Sequence, residues 1–246
     1  MSIYILDTET TDKKDGEVIE LAAMKVTFNQ NTYSFRDAKN YFHQYYKPEG
    51  NISYGAMATH HIIPEDLEDM PVFAYTDDIL PDLAYMIGHN IKFDWEAIGE
   101  PSCKLIDTLA LARQAWPELD SHTQSALIYY LAEDKGVARD RLKSAHSAIH
   151  DIGFCFIILN AAIAELREKG ISFTDIRDIY LFSEEARIPV LMPVGKHKDT
   201  PIAELPIDYV EWFLRQPDVE ESLKLALLDR KYPGTIGRYL EQLAND

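Results

Sequence analysis

One stretch limits the possible folds more than any other. From Ser147 to Lys169 the chain has the pattern of a single long helix, closed by Gly170. Its apolar residues (Ile149, Ile152, Phe154, Ile158, Leu159 and Ile163 among them) cover most of the circumference, so it must be buried on more than one side. A layered domain has to surround it. Strand patterns lie near the N-terminus, at Ile3 to Leu6 ending on Asp7, at Val18 to Phe28, and at Tyr41 to Tyr46. The turn-rich segments DKKDG and NQNTY separate them, which suggests a three-stranded meander. Helical patterns follow at Asp77 to Ile87, with Pro81 marking a first turn, and at Leu109 to Trp116, stopped by Pro117. A third runs through Tyr129 to Leu131 from a cap at Ser121. Strands followed by helices with short strands between them predict an α/β domain of about 170 residues.

The remainder differs in character. Ile188 to Val194 is apolar with two prolines, GKHKDTP is a polar turn, and Tyr209 to Leu214, Val219 to Leu228 and Ile236 to Leu243 have the pattern of short helices. The expected organisation is a first domain over 1–170 and a small module over 186–246. Forty-one acids against 24 Lys and Arg give a net charge of −17, but a hydrophobic content of 46% excludes a disordered acidic tail. No unbroken apolar run approaches the ~18 residues that cross a bilayer, and the start has neither a basic n-region nor an apolar h-region. A cytoplasmic chain without membrane association is the expectation. Two cysteines, Cys103 and Cys155, are too few for a disulfide scaffold or a Cys-rich zinc site. The charge by itself argues against a nucleic-acid partner.

Acidic residues concentrate the chemistry. Asp7 and Glu9 end the first strand, and an i, i+2 spacing puts them on one face. Paired carboxylates repel unless a hard cation such as Mg²⁺ or Mn²⁺ neutralises them, although Asp-x-Glu alone is more often a solvated turn. Asp94, in GHNIKFDWEAI, has the position of an N-cap before Trp95. His146 and Asp151 would stand ~140° apart on one regular helix. They converge only if the helix begins after His146, capped by Ser147 or Ser144. A loop histidine beside a carboxylate suits a general base.

Together these residues resemble the DEDDh exonucleases of the RNase H-like superfamily. Asp7-Thr8-Glu9-Thr10 is similar to the first motif of that family, His89-Asn90 with Phe93-Asp94 to the second, and His146-Ser147-Ala148 with Asp151 to the third. The sister branch carries Tyr where Ser147 stands, which favours the His branch. Ile52 to His60 and Asp107 to Arg113 match supporting segments. ISYGAMATHHI and the C-terminal block from Val194 through Tyr209, Trp212 and Arg215 resemble the exonuclease X type. Val194 and Asp199 depart from that block's pattern, and Thr10-Thr11-Asp12 lacks the family's Gly-Leu pair.

The resemblance implies an RNase H-like mixed sheet flanked by helices, with a small, mostly helical C-terminal domain. It implies a 3′→5′ exonuclease that releases nucleoside monophosphates from single-stranded 3′ ends, DNA before RNA, alone or as a proofreading or repair module of a larger complex. Two Mg²⁺ ions ~4 Å apart, replaceable by Mn²⁺, would clamp the scissile phosphate. Asp7, Glu9 and Asp151 would hold one, Asp7 and Asp94 the other, and His146 would deprotonate the attacking water. Thr8, Thr10, His60, Asn90 and Phe93 are the matching substrate contacts. A protein partner would dock on the C-terminal module, in which Trp212 and Phe213 are expected as anchors. An acidic chain of this kind is expected to hold little nucleic acid at once, through metals and one strand end.

Overall fold

The computed structural model describes residues 1–245. Five strands form one mixed sheet: β1 (Ser2–Thr10), β2 (Val18–Asn29), β3 (Ser34–Tyr45), β4 (Leu83–Gly88) and β5 (Lys104–Asp107), in the order β3-β2-β1-β4-β5. β1 pairs antiparallel with β2, and β2 with β3; β4 runs parallel to both β1 and β5. β1 is therefore central. Ile5 and Leu6, on opposite faces of it, are both fully buried.

The helices are α1 (Tyr54–His60), α2 (Lys92–Ala97), α3 (Thr108–Ala115), α4 (Gln124–Leu131), α5 (Lys135–Arg141), α6 (Ala148–Glu168), α7 (Ile176–Ala186), α8 (Ile207–Phe213), α9 (Glu221–Lys231) and α10 (Thr235–Asn245). α6 is the long apolar helix, and Gly170 closes it at φ +91°. By length and mean hydropathy α6 would suffice to cross a membrane, which the count of unbroken apolar runs does not register. Here it packs against β1, β2, β3, α3 and α4.

Two sequence expectations are corrected. Asp77 to Ile87 is not a helix: Pro81 and Asp82, at φ +56°, break the chain, and Leu83 onward enters the sheet as β4. A parallel strand covered on both faces is continuously apolar and has no alternation to betray it. The cap of α4 is Thr123, whose Oγ1 accepts from Ala126 N–H at 3.3 Å, and not Ser121.

The chain divides into two compact units, 1–180 and 181–246, within α7. The second unit is built around Met192, Ile202, Leu205, Val210, Leu223 and Leu227, with Phe213 partly buried against them. Phe213 anchors this unit as expected, but Trp212 remains 49% exposed.

Candidate active site

The site lies where β1, α2 and the start of α6 meet. Asp7 and Glu9 share one face of β1 and open into a cleft of about 560 Å³, which Asp94, Asp151 and His146 also line. Carboxylate oxygens of Asp7, Glu9 and Asp151 come within 4.8 Å of one another. Asp94 is buried, and its Oδ1 accepts from Thr8 N–H at 2.9 Å and Thr8 Oγ1 at 2.8 Å. That corrects the N-cap expectation: Asp94 is the third residue of α2, not its cap, and its carboxylate is turned to β1.

His146 precedes α6, exposed and at φ +63°, and its N–H donates to Asp151 Oδ2 at 3.1 Å. Ser147 occupies the cap position of α6 but makes no capping bond. Its Oγ donates instead to Glu20 Oε1 at 3.2 Å. Glu20 is 1% exposed, lies opposite Glu9 in the β1–β2 register, and also accepts from His43 Nε2 at 2.8 Å. The sequence reading passed over Glu20. Its signal was an acid within the apolar strand VIELAAM.

These carboxylates strain one another. Burial, and then the charges of Asp94, Asp151, Glu9 and Glu20, hold Asp7 well above the usual carboxylate range. Burial and the charges of Asp151, Glu20 and Asp94 push Glu9 up to about 8. Asp94 rises to about 7 by burial, against the two Thr8 hydrogen bonds. Asp151 also rises to about 7 by burial, against the His146 N–H. Clustered hard oxygen donors that resist ionisation suit a divalent cation, which relieves repulsion and satisfies the lone pairs.

Of the expected substrate contacts, Thr8, Asn90 and Phe93 line the cleft. Thr10 and His60 do not. Thr10 is buried with Oγ1 donating to Asp12 O at 2.8 Å, and buried His60 accepts from Ile62 N–H at 3.0 Å through Nδ1. Lys13 and Lys14 are exposed in the turn after β1 and lie outside the cleft lining.

The opposite wall is the loop before α4, which sequence reasoning did not place at the site. His89 Nε2 reaches His122 O at 2.8 Å, and His122 Nε2 reaches Trp116 O at 2.8 Å. Asp107 Oδ1 accepts from Asn90 N–H at 2.8 Å and supports the left-handed turn there, at φ +70°.

Residues 4–159 match the family model described as Exonuclease (RNase T). Residues 186–221 match a second family, whose description names a quorum-sensing-regulated virulence factor. The chain is similar to Exodeoxyribonuclease 10 of Escherichia coli strain K12, at 25% identity over 234 residues, covering 92% of this chain and 96% of that protein. It is also similar to DNA polymerase III subunit epsilon of Salmonella typhimurium, at 32% identity over 136 residues, which is 46% of this chain and 54% of that one. Among solved structures, exonuclease X in complex with 5′ overhanging duplex DNA aligns with a TM-score of 0.51 at 24% identity, covering 72% of this chain and 99% of that one. The shared architecture is the RNase H-like sheet with flanking helices. The chain belongs to the exonuclease family, as a DEDDh member resembling the exonuclease X type.

Proposed function

We propose that the chain is a divalent-metal-dependent 3′→5′ exonuclease acting on DNA, with an exonuclease domain over 1–170 and a small module over 186–246. The observation that carries this reading is the convergence of Asp7, Glu9 and Asp151 within 4.8 Å. Burial, and then the charges of neighbouring acids (Glu20 among them in each case), hold all three above the usual carboxylate range. The DNA relatives support the substrate.

Asp7, Glu9 and Asp151 are suited to hold one Mg²⁺ or Mn²⁺, and Asp7 with Asp94 a second. Bound metal supplies positive charge for the scissile phosphate and lowers the pKa of water. The chain's own groups do the rest. Thr8 fixes Asp94 through two hydrogen bonds, so that acid keeps its position while the cleft fills. His146, on its exposed turn, accepts the proton of the attacking water at its imidazole. Its backbone bond to Asp151 ties the position of the base to that of the acid. Asn90 and Phe93 border the space for the terminal nucleotide.

The test is hydrolysis of 3′-labelled and 5′-labelled single strands of DNA and of matched RNA, with Mg²⁺ and with EDTA. Mononucleotide release from the 3′ end of DNA, absent in EDTA and in Asp7→Ala, is expected. Release from the 5′ end, or full activity of Asp7→Ala, would overturn the reading. Faster release from RNA would change the substrate to RNA.

A further inference from the structure

The second unit carries a surface that its own core does not use. The ring of half-exposed Trp212 lies 5.7 Å from Tyr209 and 5.9 Å from Phe213. The turn from Gly195 to Lys198 packs onto the same aromatic group. The His197 ring meets Tyr209 edge-on at 4.5 Å. Gly195, at φ +78°, comes so close that a Cβ there would stand 2.9 Å from Tyr209 Oη. A larger residue there would force the turn or the Tyr209 ring to shift. Lys196 and Lys198 are exposed on either side of the seated histidine. Arg215, also exposed, follows Trp212 by one turn, and its N–H donates to Trp212 O at 3.2 Å.

Charge sets the stretch that carries the two lysines apart from most of the chain. No Asp or Glu occurs from Ala186 to Lys198, in a protein with 41 acids. Among the described residues, no ion pair engages Lys196, Lys198 or Arg215. The acids nearest in sequence to Lys198, Trp212 and Arg215 are Asp199, Glu204, Asp208, Glu211 and Asp218. Asp208 accepts from Tyr209 N–H at 2.9 Å, and Glu211 pairs with Lys231 at 3.0 Å.

We propose that this face binds single-stranded nucleic acid, with a base stacked on Trp212 and the phosphates following Lys196, Lys198 and Arg215. An exposed indole beside unpaired cations offers both contacts that a strand requires. Every base has a face to stack and every linkage a charge, so such binding is tolerant of sequence. An apolar partner would match the indole but leave the cations unmatched. The inference rests on the nuclease reading above and extends it: the strand has a second hold, apart from the cleft.

The test uses the full chain in EDTA, where hydrolysis is not expected, and a fluorescein-labelled oligothymidylate of 20 nucleotides followed by anisotropy. Trp212→Ala is expected to weaken binding about tenfold, with Trp212→Phe recovering most of the loss. Lys196→Gln with Lys198→Gln is expected to weaken binding and to flatten the salt dependence by about 1.4 in logarithmic slope. Circular dichroism and thermal unfolding check that each variant is folded, and hydrolysis of a dinucleotide with Mg²⁺ is expected to be unchanged. Unaltered affinity and salt slope in folded Trp212→Ala and in the double lysine variant would overturn the proposal and leave the face to a protein partner. Wild type that hydrolyses no strand would sink the nuclease reading, while the anisotropy comparison would still decide this one.

Discussion

Glu20 Oε1 accepts a hydrogen bond from Ser147 Oγ at 3.2 Å, joining β2 to the residue beside His146 across 127 positions of sequence. Glu20 is not among the carboxylates that converge on the cleft, yet its charge contributes to the raised pKa of Asp7, Glu9 and Asp151. A buried acid that adds to the repulsion must contribute something in return. His43, on β3, holds its carboxylate, and its bond to Ser147 holds the residue next to His146.

Glu20→Ala therefore is expected to lower kcat about tenfold or more, with KM nearly unchanged, because the loop loses a charge-assisted bond while the cleft keeps its walls. Glu20→Gln keeps an acceptor for Ser147 and is expected to recover most of kcat. Steady-state kinetics on a single strand would decide it. Equal loss in both variants would show that charge rather than positioning is what matters.

Stability of the metal-free protein is expected to fall with rising pH. Glu9 rises to about 8 and Asp94 and Asp151 to about 7 in the fold, and Asp7 is also raised. Folded-state pKa values above the unfolded ones mean that the folded chain binds more protons between roughly pH 4 and 8. The stability this gives is complete below the unfolded values and is lost as pH rises through 7 and 8. Tm in EDTA should fall from pH 5 to pH 8, and Mg²⁺ should raise it more at pH 8 than at pH 5. Scanning calorimetry with and without metal measures both, and equal metal shifts at the two pH values would contradict the prediction.

Asp7→Asn separates activity from stability. It removes one ionisable group from the crowded cluster but keeps its shape, so the metal-free variant should lose less Tm between pH 5 and pH 8 than wild type does. The same change should abolish hydrolysis, since Asp7 faces both proposed ions. Lower Tm at both pH values together with lost activity would mean that Asp7 holds the fold rather than the metals.

Much of this site was legible because two of its relations are local. Asp7 and Glu9 share a face by the period of a strand, and the spacing from His146 to Asp151 requires a helix that begins between them. The structure has that helix begin at Ala148. What escaped was long-range. Glu20 contacts Ser147 at a separation of 127 residues, and His89 reaches His122 at a separation of 33. Neither separation leaves a mark in periodicity. β4 escaped for another reason: burial on both faces erases the alternation by which a strand is recognised, and an adjacent run with proline then imitates a helix.

His89 supplies the last expectation. Burial lowers its pKa, which favours the neutral ring. The carbonyl of His122 can only accept, which puts the single ring proton on Nε2 and leaves Nδ1 facing Thr108 Oγ1 at 3.0 Å. His122 Nε2 in turn donates to Trp116 O. The loop from Pro117 to Thr123 thus hangs on two imidazoles, and Ser121, His122 and Thr123 form the cleft wall facing the acids. His89→Ala removes the first support without touching a carboxylate. It is expected to raise KM about tenfold while kcat changes much less, because the wall loosens and the acids stay in place. Kinetics on a single strand, with hydrogen exchange over residues 117–123, would measure both effects. A drop in kcat at constant KM, with the loop still protected, would place His89 in the chemical step instead.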